Sequence, residues 1–152
     1  MIRPASCPIE SEIALMSSSP TANQKTGIAG EFFVAAELAK RNFQVAISLG
    51  NAKGVDLFVT TPDGKKTFEV EVKTLRKQPN CFTLNSNKVK PQSAYIFVYL
   101  NSDWQSPDYF ILLGSDLLLN LAHFYGSSLG TERETVNHGP LKPYLNNWKI
   151  LQ

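Results

Sequence analysis

Two acidic residues and a lysine stand where a short chain could do metal chemistry. Asp56 lies in the run Val55-Asp56-Leu57-Phe58-Val59, and Glu71 and Lys73 lie in Phe68-Glu69-Val70-Glu71-Val72-Lys73. Both runs alternate apolar and polar residues between turn signals, so both read as strands. Asp63-Gly64, within Pro62-Asp63-Gly64, suits a two-residue primed turn; a four-residue loop between Thr61 and Lys66 gives the same register. That register sets Val59 opposite Phe68 and Asp56 opposite Glu71. One face then holds Val55, Leu57, Val59, Phe68, Val70 and Val72, and the other holds Asp56, Phe58, Glu69, Glu71 and Lys73.

Side chains directly opposed on a sheet face have Cβ atoms roughly 5 Å apart, and like charges placed there repel. A divalent cation between Asp56 and Glu71 would satisfy both carboxylates, with Lys73 as a fixed positive charge on the same face. Hard oxygen donors favour Mg2+ or Mn2+ over zinc. The plainer reading is a solvated strand face where water screens the charges. The opposed aspartate and the uniformly apolar reverse face favour the metal.

A third acid precedes the hairpin. Thr26 to Arg41 has helical spacing, with Thr26 as a cap and Ile28, Phe32, Ala35, Ala36 and Ala39 forming one apolar arc. Glu37, Lys40 and Arg41 project to the opposite side, whereas Glu31 falls at the edge of the apolar arc. An unpaired carboxylate that is buried costs several kcal/mol, at order of magnitude. Two readings are open for Glu31: a boundary residue favoured by the helix N-terminal dipole, or a group reaching the same cation or an attacking water.

These residues together resemble the PD-(D/E)XK nuclease superfamily: a helix with an inward glutamate, Gly54-Val55-Asp56, a tight turn, then Glu71-Val72-Lys73. The helical glutamate is similar to that of the Holliday-junction-resolvase-like and restriction-endonuclease-like branches. The resemblance spans Thr26 to Thr74, about a third of the chain, and its motif is short and degenerate. Val55 stands where the motif has proline. The Gln-x-x-x-Tyr helix of some members is missing, since Gln92 and Tyr95 are three apart. The resemblance implies an α/β fold with a mixed β-sheet sandwiched by helices, a restriction-endonuclease-like core. It further implies a magnesium-dependent endonuclease in which Asp56, Glu71 and the Val72 carbonyl hold the metal. Lys73 would orient the water or stabilise developing charge, and Glu31 would bind a second ion or position the nucleophile. Glu69 is either a supporting or a merely exposed residue. Two alternatives are a catalytically inactive nucleic-acid-binding module and a protein-interaction domain of the same fold.

Charge distribution points to the partner. From Lys65 to Lys90 seven basic residues outnumber two acids, giving +5 in a chain of net charge +2. Such clusters attract phosphodiester backbones, although a solvated loop rich in lysine has the same composition. Lys53, Arg76, Lys77, Lys88 and Lys90 are the candidate nucleic-acid contacts, with DNA the expected partner. No helix-turn-helix or finger pattern identifies the substrate.

A chain of 152 residues with 43% hydrophobic and 18% charged residues suits one globular domain. No apolar run approaches the roughly 20 residues of a membrane span, and the N-terminal stretch lacks a secretory pattern. Cys7 and Cys81 are far apart, without metal-ligand spacing, and read as free thiols of a cytoplasmic protein. His123 and His138 read as structural or exposed.

The remaining elements follow from periodicity. Residues 1–25 read as a weakly ordered arm, with a short helix near Glu10 to Met16, and 26–152 as a single nuclease-like domain. Gln44 to Leu49 should be the first strand, followed by a turn over Gly50 to Gly54. Ala94 to Leu100 and Asp108 to Leu113 should be inner strands. A helix capped by Ser115 or Asp116 should run to about His123, and Gly126 to Gly139 reads as a mobile loop. Leu141, Tyr144, Leu145, Trp148 and Leu151 have the spacing of a terminal helix, whose stripe could close the core or a homodimer.

Overall fold

The computed structural model describes residues 20–48 and 54–152. The expected short helix near Glu10 to Met16, and most of the turn before Gly54, lie outside the described residues. Five strands form one mixed sheet in the order β1 (Gln44–Ile47), β2 (Leu57–Thr60), β3 (Thr67–Leu75), β5 (Ala94–Tyr99), β6 (Asp108–Leu113). β4 (Phe82–Thr83) pairs instead with β7 (Thr135–Val136). All neighbours in the large sheet are antiparallel except β3 and β5. The expected α/β mixed sheet flanked by helices is the observed fold.

Helix α1 (Pro20–Lys40) starts six residues earlier than its spacing suggests. Thr26 is inside it, buried, with its hydroxyl donating to the Ala22 carbonyl at 3.0 Å. The helix ends at Asn42, whose positive φ of 65° lets Asn42 and Phe43 N–H groups reach the Ala39 and Leu38 carbonyls, a Schellman-type stop. Its buried stripe is Thr26, Gly30, Val34 and Leu38. Ile28 and Phe32 face solvent, at 51% and 55% exposure, so the expected apolar arc is rotated. The reason is steric. A Cβ on Gly30 would lie 1.8 Å from Thr74 Oγ1 on β3; small residues let the helix approach the sheet, and phenylalanine there would hold it off.

Two cores result. One lies between α1 and the sheet, with Val34, Leu38, Val59, Val70, Val72 and Ile96 among its buried members. The other covers the opposite sheet face, where Phe97, Tyr99 and Leu112 meet Phe82, Leu117 and Tyr125. β5 is buried along its whole length, as a central strand between two cores must be.

Several elements differ from expectation. The β2–β3 connection is the four-residue alternative: Thr61 N–H bonds the Lys66 carbonyl, and Gly64 (φ 73°) N–H bonds the Thr61 carbonyl. Positive φ there suits glycine. The helix after β6 breaks at Asn120 into α2 (Gly114–Leu119) and α3 (Leu121–Tyr125). The stretch Gly126 to Gly139 is ordered by β7 and by the buried Glu134, which accepts from Gly130 N at 2.7 Å and Ser86 N at 2.5 Å. Those bonds hold its carboxyl below the usual range, the Gly130 bond most and the Ser86 bond next.

The C-terminal stretch is a chain of short turns, α4 (His138–Leu141) and 3-10 segments at Lys142–Tyr144 and Trp148–Leu151, rather than one helix. Pro143 and the positive φ of Asn146 interrupt it. Leu141, Trp148 and Leu151 are buried in the two cores, leaving Leu145 exposed, so the stripe closes the molecule itself. His138 is half-buried against Tyr99 and Phe110. Cys81 is disulfide-bonded, not a free thiol; the other cysteine, Cys7, lies outside the described residues. Separation along the chain carries no information about which thiols meet in space. No helix among the described residues is long and apolar enough to cross a membrane.

Candidate active site

β3 carries the centre of the site. Val70, Val72 and Thr74 face α1, so Glu69, Glu71 and Lys73 face the other side, as alternation requires. Glu71 is nearly buried, and its Oε1 pairs with Lys73 Nζ at 2.6 Å. An ion pair so enclosed is stabilised by low local dielectric, but removing either partner strands a charge.

Asp56 meets β3 differently from expectation. The paired ladder ends at Leu57↔Val70, and Asp56 N–H donates to that same Val70 carbonyl at 2.9 Å. The strands therefore slip by one residue, as at a β-bulge, and Asp56 is not a ladder partner of Glu71. Its carboxylate takes the place of the lost ladder bond: Oδ2 accepts from Val72 N–H at 2.7 Å. Each carboxylate thus has its own compensation, one from a main-chain donor and one from an ammonium, which removes the repulsion expected for direct opposition.

Glu31 is half-buried on α1, next to the close contact at Gly30. Burial raises its pKa, and the negative charge of Asp56 raises it further. Glu31 therefore lies within electrostatic reach of Asp56, while Glu71 and Lys73 occupy the opposite sheet face.

A cleft of about 960 Å³ opens over Glu71 and Lys73, with Gly54 at one side and Thr83 to Val89 and Lys90 at the other. Its far wall is built by local bonds. Asn85 Oδ1 caps the 3-10 turn Ser86–Lys88 by accepting from Asn87 N at 2.9 Å, and Glu134 fixes Ser86 from behind. Lys90 N–H donates to the buried Tyr95 hydroxyl at 2.9 Å. Lys90 Nζ pairs with Glu69 at 2.8 Å, which raises its pKa. Lys88 is exposed and makes no ion pair among the described residues.

Of the nucleic-acid candidates, only Lys88 and Lys90 line the cleft. Arg76 and Lys77 are exposed beyond the end of β3, and Lys53 lies outside the described residues. The charge pattern pointed to Lys88 and Lys90 of this wall, but Thr83, Leu84, Asn85, Asn87 and Val89, which line the cleft with them, were not legible, because tertiary contact alone brings them to Glu71. The Asn85-Ser86-Asn87 capping pattern was the available local signal.

Among the described residues no three His, Cys, Asp or Glu side chains converge on one metal position. The donor chemistry nonetheless fits a hard cation. Asp56 uses Oδ2 and Glu71 uses Oε1 in the bonds above, leaving a second oxygen on each. Magnesium is commonly held by one or two carboxylates, with waters and substrate phosphates completing its shell.

The sheet and its helices form a mixed α/β fold. The structure is similar to the solved structure of a bacterial homing endonuclease, I-Ssp6803I, with a TM-score of 0.55, over 85% of this chain and 91% of that one. Sequence identity between the two is 13%, so the likeness is one of fold. Neither a protein-family model nor a curated protein matches the sequence.

Proposed function

We propose that the chain is a divalent-metal-dependent endonuclease of the PD-(D/E)XK type, acting on the phosphodiester bonds of DNA. The observation that carries this reading is the Glu71–Lys73 ion pair lining a cleft, its carboxylate nearly buried and its ammonium partly exposed, with Asp56 held on the intervening Val72 N–H. The fold shared with a homing endonuclease supports it.

Asp56, Glu71 and the carbonyl of Val72 would hold Mg2+ or Mn2+, which supplies Lewis acidity at a phosphoryl oxygen and a lowered pKa for coordinated water. The protein's own contributions are positional and electrostatic. The Val72 N–H fixes the Asp56 carboxylate, so its free oxygen is presented without reorganisation. Lys73 exchanges its Glu71 contact for the phosphate or the attacking water, placing a full positive charge where negative charge develops. Glu31, whose carboxyl is pushed above its ordinary range by burial and then by the Asp56 charge, positions the nucleophile. Lys88 draws the backbone into the cleft.

The test is a cleavage assay on duplex, branched and single-stranded DNA with magnesium or manganese, using Asp56→Asn and Glu71→Gln. Both variants should lose activity; Asp56→Asn should unfold at a denaturant concentration close to wild type, since asparagine can still accept from Val72 N–H, and Glu71→Gln at a somewhat lower one, since it leaves Lys73 without its carboxylate. Cleavage at wild-type rate by either variant would overturn the assignment.

A further inference from the structure

Trp104 is 94% exposed at the tip of the loop joining β5 and β6. A side chain of that size in water has no folding rationale, since tryptophan stabilises a fold by burial. The loop beneath it is well tied. Asn101, at positive φ of 61°, donates through Nδ2 to the Ser106 carbonyl at 3.1 Å and to Asp108 Oδ2 at 3.2 Å. Ser102 Oγ bonds Gln105 Oε1 at 3.1 Å, and Gln105 N–H bonds the Ser102 carbonyl at 3.0 Å. Trp104 is thus held out on a built platform, and ring contacts to it are absent among the described residues.

The segment that supports this loop carries two cations. Gln78 Nε2 donates to Asn101 Oδ1 at 3.1 Å and to Asp108 Oδ2, which docks the residues after β3 against the base of the Trp104 loop. Arg76 and Lys77 sit in that docked segment. Both are exposed and neither forms an ion pair among the described residues. Arg76 follows the last residue of β3, three residues beyond Lys73 and roughly 10 Å along the strand direction. An exposed indole beside uncompensated cations, in line with the cleft, matches how single-stranded nucleic acid is held: a base stacks on the ring while neighbouring phosphates pair with the cations.

We propose that Trp104 is a base-stacking residue, and that Arg76 and Lys77 bind the phosphates flanking the stacked base. The partner is a nucleic acid with an unstacked base, single-stranded or opened. The proposal rests on the nuclease reading for its choice of partner, but its test does not depend on cleavage.

The chain has two tryptophans; both emit, but Trp148 is only 5% exposed, so a change in emission on contact with a base reports on Trp104. Titrating the full chain with oligothymidine in chelator, without divalent metal, should quench the wild-type emission. Trp104→Phe should abolish the quenching while affinity by anisotropy of a labelled strand stays within about threefold, because phenylalanine still stacks. Trp104→Ala should bind about 5- to 150-fold more weakly. Arg76→Ala with Lys77→Ala should lower the salt slope of binding by roughly 1.4. Quenching that persists in Trp104→Phe, or unchanged affinity in Trp104→Ala, overturns the proposal. Cleavage by the wild type together with loss in Asp56→Asn would leave the nuclease reading standing in that event. Quenching and weakened Trp104→Ala binding without any cleavage would leave the stacking site standing instead.

Discussion

Replacing Gly30 by alanine sets two opposing effects against each other, and the structure decides between them. Intrinsic helix propensity favours alanine by about 1 kcal/mol. The added Cβ, however, would lie 1.8 Å from Thr74 Oγ1 and 2.8 Å from Thr74 Cβ and Cγ2. Ordinary contact between such atoms begins near 3.5 Å, so the helix must retreat by about 1.5 Å. β3 cannot yield in its place, because it is paired on both sides. Overpacking of this kind costs about 1–3 kcal/mol, so after the propensity gain Gly30→Ala should lose about 0–2 kcal/mol net. Thr74→Ala should cost little alone, since its hydroxyl is buried without a hydrogen-bond partner among the described residues and its removal leaves no donor unmet. The double variant should recover at least half of the loss, a coupling of about 1 kcal/mol. Urea unfolding of the four proteins measures this directly. Strict additivity, or a Gly30→Ala variant more stable than wild type, would refute the close-approach account. Because Glu31 follows Gly30, the single variant should also cleave more slowly, and the double variant should regain part of that rate.

Other expectations concern charge. Lys73→Ala should slow cleavage by two orders of magnitude or more while divalent-metal affinity by calorimetry holds, because the ammonium acts on substrate rather than as a ligand. Lys88→Ala should lower the salt slope of DNA binding by about one; Lys90→Ala should change it less, since Glu69 already offsets that charge. The Glu134 carboxyl sits below its ordinary value of 4.5, so its stabilisation is complete above that pH and fades as pH falls through the folded value. Glu134→Gln should therefore be less stable than wild type at neutral pH, and the gap should narrow in acid, as read by denaturation at pH 3 to 7.

Local patterns made the sheet legible and tertiary fit made the rest illegible. Alternation identified β2 and β3, and continuous apolar runs β5 and β6, each within one or two residues, because a strand sees one or two apolar layers and its sequence records them. The face carrying Glu71 and Lys73 followed from the same alternation. Asp56 was expected directly opposite Glu71 but is set on the Val72 N–H instead, because the one-residue slip at Val70 has no sequence signature. The orientation of α1 was misjudged because hydrophobicity was weighed without size. Gly30 and Thr26 face the sheet because they are small, and Phe32 faces water because it is not. The C-terminal apolar spacing was real, but proline and a left-handed asparagine broke the helix that spacing alone suggested. The cleft wall at 85–90 depends on Glu134, 48 residues from Ser86 along the chain, whose contact no local pattern records.

The single parallel junction between β3 and β5 has a consequence for the order of assembly. β1, β2 and β3 pair antiparallel in chain order, which requires only short closures and little loss of loop entropy. The β3–β5 pairing must wait for the excursion through residues 76–93, and non-local pairings of this kind form late. Asp56 and Val72 both belong to the early unit, so the carboxylate finds its main-chain donor before the cleft exists. The wall bearing Lys88 belongs to the excursion and joins last. Read in reverse, the first partial opening of the native protein detaches that wall from a hairpin still intact, so DNA could be admitted or released without dismantling the acids beneath it.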